Sequence, residues 1–281
     1  MSNRRQLITY LFLILLGIIM IYPLLFLFSA SFKSNEEIFS SISLLPKELA
    51  SVTFEAFRNG WQGVGKYGFS TFFTNSFLIT VPVVIVTIIS SSCVAYGFAR
   101  FKFPYKKLLF TLMISTIMLP STIIMIPSYI LFKNFGWLNT YMPFWIPALL
   151  GSDAYFIFMF LQFFRSIPRE LDESAIIDGC NRLKIFTKII LPLSKPAIIS
   201  AGIFKFIWTW NSFVEPLIYI NSVSKYTVAL GLKMSIDTQG GEVMWNEMMA
   251  MSCLAIIPPA IIFFVAQKYF VEGISTSGLK G

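Results

Sequence analysis

The residues best placed to do something chemical are carboxylates and amides rather than nucleophiles. Glu170, Asp172, Glu173 and Asp178 crowd one interval, Arg165–Pro196 (RSIPRELDESAIIDGCNRLKIFTKIILPLSKP), the longest charged stretch between apolar segments in the second half. A carboxylate such as Glu173 on a short helix can meet an arginine or lysine of another protein. A partly desolvated pair of that kind is worth ~1.5–3 kcal/mol. A second group lies downstream in KFIWTWNSFVEP (Lys205–Pro216). Trp208, Asn211, Ser212 and Glu215 there stand at i, i+3, i+4 and i+7, which on a helix is one face. A ring beside hydrogen-bonding groups suits a sugar, whose C–H faces stack while its hydroxyls take hydrogen bonds. The same groups serve equally to hydrogen-bond a neighbouring helix, and both readings stay open. Asp153, Lys205 and Glu215 are the ionisable residues inside apolar segments, and each must face protein or water. Asp153 or Glu215 is thus a candidate proton site, or a polar tether between helices.

Catalytic chemistry is not legible. The sequence contains no histidine, which removes His-based triads, His metal sites and histidine proton relays. Cys93, Cys180 and Cys253 are an odd count without metal spacing and imply no disulfide framework. Gly60–Tyr67 (GWQGVGKY) satisfies G-x-x-x-x-G-K but ends on Tyr67, where a P-loop needs serine or threonine for Mg²⁺. No buried-strand pattern precedes it, so it reads as a glycine-rich turn. G-x-S-x-G, H-E-x-x-H and C-x-x-C are absent. No catalytic residue, no metal ligand and no cofactor bound by this chain are expected.

The first group is carried by what reads as two short helices around a glycine corner. Pro168 suits a first helical turn, and Glu170, Asp172 and Glu173 complement the positive end of the helix dipole. Leu171, Ala175 and Ile176 supply an apolar stripe. Gly179 follows where a left-handed C′ position favours glycine. A second helix is expected from Asn181, with Leu183, Phe186 and Ile190 on one face and Pro192 and Pro196 ending it. Such a hairpin suits entry into a groove on another protein.

The surrounding chain is 56% hydrophobic and 13% charged, with a mean hydropathy of +0.72. Its apolar residues come in blocks of about 20 or more, enough to cross ~30 Å of hydrocarbon. Six spans are expected, Ile8–Ser29, Phe72–Phe98, Leu108–Phe132, Tyr141–Phe164, Ala197–Ile220 and Met248–Phe270, the first an uncleaved anchor. The fold class is an all-α polytopic membrane protein. Three regions follow: residues 1–71 (anchor helix and first external segment), 72–270 (core, including the 165–196 loop) and 271–281 (a tail). The segment Asn221–Asn246, with Gly240-Gly241, is polar. Of the 22 lysines and arginines, 14 lie on the side of the termini and 7 on the other, with Lys205 in a span. That bias places both termini and the hairpin in the cytoplasm. It also explains the net charge of +8 without nucleic acid.

The hairpin also resembles a known family. Glu173-Ser174-Ala175, Asp178-Gly179 and Leu191-Pro192 reproduce the E-A-A, G and L-P pattern of permease subunits of binding-protein-dependent ABC importers, with Ser174 where alanine is usual. WNSFVEPLIY (Trp210–Tyr219) and the ending QKYFVEGISTSGLKG are similar to the carbohydrate-uptake branch, in particular to the second permease of maltose-type systems. The resemblance implies a type I importer permease fold of six transmembrane helices with a cytoplasmic coupling-helix hairpin. It implies four kinds of neighbour: a second, non-identical permease; two ATPase subunits carrying ATP and Mg; an extracellular or periplasmic sugar-binding protein; and the lipid of a bacterial or archaeal cytoplasmic membrane. An ion-coupled sugar carrier using Asp153 or Glu215, and a membrane scaffold that recruits a partner without moving solute, are the competing readings. A secondary transporter would show paired broken helices or an internal repeat, and neither is apparent in the sequence.

Overall fold

The computed structural model describes residues 3–47, 53–63, 66–237 and 243–278. Gly240-Gly241, Val64-Gly65 of the P-loop-like motif and residues 279–281 of the expected tail lie outside these. The described residues form helices and turns without a β-sheet. In order they are α1 (Asn3–Ala30), α2 (Asn35–Ser40), α3 (Glu55–Gln62), α4 (Phe69–Arg100), α5 (Lys106–Ile117), α6 (Ser121–Asn134), α7 (Met142–Leu149) and α8 (Ala154–Ser166). Then follow α9 (Glu170–Ile177), α10 (Arg182–Ile185), α11 (Leu191–Leu193), α12 (Lys195–Trp210), α13 (Val214–Tyr219), α14 (Val228–Asp237) and α15 (Trp245–Gly278). By contact the chain divides into two units, Met1–Thr74 with Tyr226–Pro258, and Asn75–Lys225 with Pro259–Gly281.

In the first unit, α1 is apolar all round. Its best window has a mean hydropathy of 2.9 and none of it is buried in the chain. A helix without a polar face is covered by lipid or by another subunit. The turn after it is well tied: the Tyr22 hydroxyl donates to the Ile42 carbonyl at 2.8 Å, and the buried Lys33 ammonium donates to the Ser43 carbonyl. The Asn35 amide donates to the Val243 carbonyl at 3.0 Å, while its oxygen accepts from the Asn246 N–H at 3.3 Å. These bonds hold α2 against the start of α15. The P-loop-like motif begins inside α3, since Gly60 is helical. Gly63 ends that helix at φ +81°, where a Cβ would lie 2.1 Å from the Tyr67 carbonyl oxygen. Glycine there serves a tight helix exit and not a phosphate cradle.

The second unit holds broken helices. α5 and α6 meet at 102°, and the break falls at Pro120, which caps α6. The single span expected over Leu108–Phe132 is therefore two helices. The next expected span is α7 plus α8, interrupted at Gly151, whose φ is +71°, and resumed after Asp153. The fifth breaks between Trp210 and Val214, because Pro216 offers no N–H to Ser212 and its ring crowds the preceding turn. With α1, α4, α7–α8 and α15, two bent pairs, α5 with α6 and the Arg182–Leu193 segment with α12, bring the candidate spans from four to as many as six. α15 continues to Gly278, through the first residues of the expected tail.

Two proline expectations change. Pro168 precedes the cap Arg169 and so lies outside α9. Pro192 does not end its helix: residues Phe186–Ile190 adopt a π-helical turn and Pro192 sits in the first turn of α11. The wider turn relieves the clash a proline ring would make with an α-helical carbonyl four residues back. The chain bends by 75° only after Leu193, entering α12 with Pro196 in its first turn.

Candidate functional site

The hairpin is built as a platform fixed from below. α9 ends in a Schellman turn: the Cys180 N–H donates to the Ala175 carbonyl at 2.8 Å and the Gly179 N–H to Ile176 at 3.0 Å. Gly179 has φ +77°, the left-handed C′ geometry, and a Cβ there would meet nothing within 4 Å. Asn181 caps α10, its side chain accepting from the Lys184 N–H at 2.8 Å. Ala175, Ile185, Phe186 and Ile190 are buried in one cluster with Tyr96 and Ala99 of α4 and Phe160, Leu161 and Phe164 of α8. Fully burying a side chain such as Ile or Phe contributes about 1.5–3 kcal/mol, so the hairpin is anchored to the membrane helices by packing.

A charge pair adds to that anchor. Nε of Arg100, the last residue of α4, lies 2.7 Å from Oδ2 of Asp172, with side chains 3% and 8% exposed. The contact is off the N–H axis, and Oδ1 of Asp172 receives no hydrogen bond, so it is an ion pair rather than an aligned bond. Arg100 also donates to the Ile167 carbonyl at 3.0 Å, and the Tyr96 hydroxyl donates to the Arg182 carbonyl at 3.2 Å.

What remains outward is acidic and apolar. Glu173, Ser174, Asp178 and Gly179 are exposed, Ala175 is buried, Leu191 is half-buried and Pro192 is exposed. Leu171 and Ile176, expected to lie on the packed stripe, are instead 42% and 44% exposed, and Ile177 and Leu183 are 86% and 68% exposed. The packed side is supplied by Ala175, by Phe186 and Ile190 of the expected face, and by Ile185, a residue off it.

The second group is rearranged. The break after Trp210 means that Trp208, Asn211, Ser212 and Glu215 do not share one helical face. Trp208 packs among rings, 5.0 Å from Tyr155 and 5.4 Å from Phe156. Asn211 is exposed on the isolated chain, and the Ser212 hydroxyl donates to Glu215 at 3.4 Å. Glu215 lines a cavity of about 290 Å³ with Ser128, Asp153, Lys205, Thr209 and Tyr219. Within it the Lys205 ammonium donates to Asp153 at 2.6 Å, joining α12 to the head of α8. Sequence spacing missed both ion pairs, since their partners are far apart along the chain and no local period links them. Arg100, Asp153 and Lys205 were legible only as charges at a span or its end, and Asp172 only as an acid in a helix's first turn.

A bundle of broken apolar helices, bearing a rigid polar hairpin and an ionisable cavity, defines a polytopic membrane transport component. The chain belongs to the family of binding-protein-dependent transport system inner membrane components, whose model matches residues 88–276. It is accordingly a permease subunit of an ABC importer, a multi-pass membrane protein and a transport subunit rather than an enzyme; ATP hydrolysis belongs to a separate subunit of such systems. It is 32% identical to the probable ABC transporter permease protein YurM of Bacillus subtilis, over 97% of this chain and 88% of that one. It is 32% identical to the sn-glycerol-3-phosphate transport system permease protein UgpE of Agrobacterium fabrum, over 96% and 95%. The arabinooligosaccharides transport system permease protein AraQ of Halalkalibacterium halodurans is 31% identical, over 95% and 93%. In fold it matches a chain of a bacterial ABC transporter involved in the import of the acidic polysaccharide alginate, with a TM-score of 0.82 at 24% identity, covering 96% of this chain and 99% of that one.

Proposed function

We propose that this permease moves a sugar, an oligosaccharide delivered by an external binding protein, and that the 165–196 hairpin couples it to a cytoplasmic ATPase. The observation that carries the coupling is the division of the hairpin into a buried side and an exposed one. Glu173 and Asp178 stand outward beside Ile177 and Leu183, an apolar patch flanked by acids that fits a groove with basic residues on its rim. Glu173 is the charged contact. Ser174 and Ala175 keep α9 slim, Asp178 and Gly179 make the corner, and Leu191-Pro192 set the turn into α12. The ATPase, present twice, holds ATP and Mg, and this chain binds no cofactor. A second, non-identical permease completes the pathway. The termini lie in the cytoplasm, and the core of the permease is residues 72–270.

For the cargo, the cavity at Glu215 favours a neutral molecule. Asp153 and Lys205 cancel in charge, and Glu215 leaves a surplus negative charge. A phosphate or uronate would be repelled there, while hydroxyls would find Ser128, Thr209 and the carboxylates. Among the relatives, the arabinooligosaccharide system fits that cavity better than the glycerol-phosphate one. Trp208, Asn211, Ser212 and Glu215 are assigned to the translocation pathway.

The test uses Glu173→Ala and Gly179→Val in the assembled transporter. The first removes the charged contact; the second costs on the order of 1–2 kcal/mol of backbone strain at a left-handed position without any clash. Both should lower ATPase co-purification and binding-protein-stimulated hydrolysis while the permease stays inserted. Wild-type values for both variants would refute the coupling role.

A further inference from the structure

Basic charge gathers at the junction of α4, α5, α8 and α9. A cavity of about 610 Å³ opens there, walled by Phe98, Arg100, Lys106, Arg165, Arg169 and Glu170 among others. Arg100 is committed to Asp172. Lys106, Arg165 and Arg169 form no ion pair among the described residues. Lys106 donates to the Phe101 carbonyl at 2.8 Å, and Arg169 donates to the Ala99 carbonyl at 3.3 Å. Arg165 sits 5.6 Å above the Phe110 ring. Three uncompensated cations thus share a cavity with one carboxylate, Glu170. Like charges held this close repel, and an anion with several oxygen acceptors relieves that repulsion while taking charge-assisted hydrogen bonds.

We propose that this cavity binds the phosphate of an anionic phospholipid headgroup. Its depth points to lipid. Arg100 is the last residue of α4, Lys106 the first of α5, and Arg165 lies in the last turn of α8. Residues at the ends of apolar helices sit at headgroup level, where basic side chains attract anionic lipid. The seats of the cations agree: Arg165 lies over Phe110 and Lys106 over Phe103, at 5.6 and 5.8 Å, with apolar surface beneath the charge. A partner protein would be expected to meet the outward surface of α9, which carries Glu173 and Asp178, acids of the opposite sign. Anionic headgroups occur in both leaflets, so the site does not depend on the side assigned to the termini or on the cargo. Its consequence is that a bound lipid would brace the hairpin against α4 and α8.

The test is native mass spectrometry of the full chain, with whatever subunits co-purify, in mild detergent with equimolar phosphatidylglycerol and phosphatidylcholine. The wild-type protein should retain phosphatidylglycerol preferentially. Arg165→Gln/Arg169→Gln should cut that preference on the order of tenfold or more, at about 1 kcal/mol per basic residue. Lys184→Gln/Lys188→Gln, which removes the same charge from exposed hairpin positions, should keep the preference. Arg165→Lys/Arg169→Lys should keep most of it and shows that the charge rather than the fold is being read. No preference in the wild-type chain, an equal loss in the lysine control, or displacement of the lipid by an excess of inorganic phosphate alone would each overturn the assignment. So would an unchanged lipid preference in Arg165→Gln/Arg169→Gln accompanied by loss of the ATPase, which would make the cavity a protein-docking surface.

Discussion

Replacing Asp172 with alanine would leave the Arg100 guanidinium, 3% exposed, without its counter-charge. Removing one member of a buried pair costs about 3–5 kcal/mol, because the remaining charge is uncompensated. Loss of the carboxylate from the first turn of α9 adds roughly 0.3–1 kcal/mol through the helix dipole. At 1.4 kcal/mol per tenfold, the opening of α9 away from α4 should become roughly two hundred to twenty thousand times more populated. The loosening should be local. Ile185, Phe186 and Ile190 are buried independently of the pair, so α10 and the π-turn should stay closed. Hydrogen exchange on the assembled transporter reads this directly: amides of residues 170–177 should exchange faster on that scale, and those of 185–190 should lag well behind. Arg100→Met/Asp172→Leu, which exchanges the pair for apolar packing, should restore most of the protection. If α9 stays fully protected in Asp172→Ala, or if the apolar double variant is as loose as the single one, the pair does not hold the hairpin.

Other consequences can be checked alongside. Asp153→Asn and Lys205→Gln should each lower the thermal stability of the purified subunit, and the double variant should lose less than the sum, with a coupling of roughly 0.5–3 kcal/mol; additive losses would mean that the pair contributes nothing. Gly179→Asn should couple nearly as well as wild type while Gly179→Val does not, because asparagine tolerates the φ of +77° and valine does not; equal behaviour in co-purification would remove the backbone argument. In a chain cleared of its native cysteines, Ser34→Cys should label with an impermeant thiol reagent in intact cells and Thr187→Cys, also exposed, should not; the reverse pattern would invert the topology.

Much of the hairpin could be read from local chemistry. The acidic first turn, Gly179 at C′ and a helix start at Asn181 are all rules about neighbours in sequence, and they appear where expected, with Asn181 as the cap of a helix that begins at Arg182. The breaks were harder. Pro120 and Pro216 stand at two of them, but whether a proline kinks a helix or ends it depends on how neighbours satisfy the freed carbonyls. Pro192 shows another outcome, a helix that widens into a π-turn and passes the proline by one residue, to Leu193. The face through Trp208 and Glu215 failed for the same reason, since i+3 and i+7 spacing means little across a helix break. The pairs Arg100–Asp172 and Lys205–Asp153 are tertiary facts, and so is the cluster of cations around the basic cavity. In sequence those cations read only as topology signals.

Uptake in proteoliposomes tests most directly whether import is driven by ATP hydrolysed in a separate subunit. The purified transporter, reconstituted with its binding protein outside, should accumulate labelled oligosaccharide only when ATP is present on the hairpin side. It should be indifferent to a proton gradient, and Glu215→Gln should alter affinity for the sugar without changing the energy source. Accumulation driven by a pH gradient without ATP, and abolished by Asp153→Asn or Glu215→Gln, would contradict the account and make the chain an ion-coupled carrier.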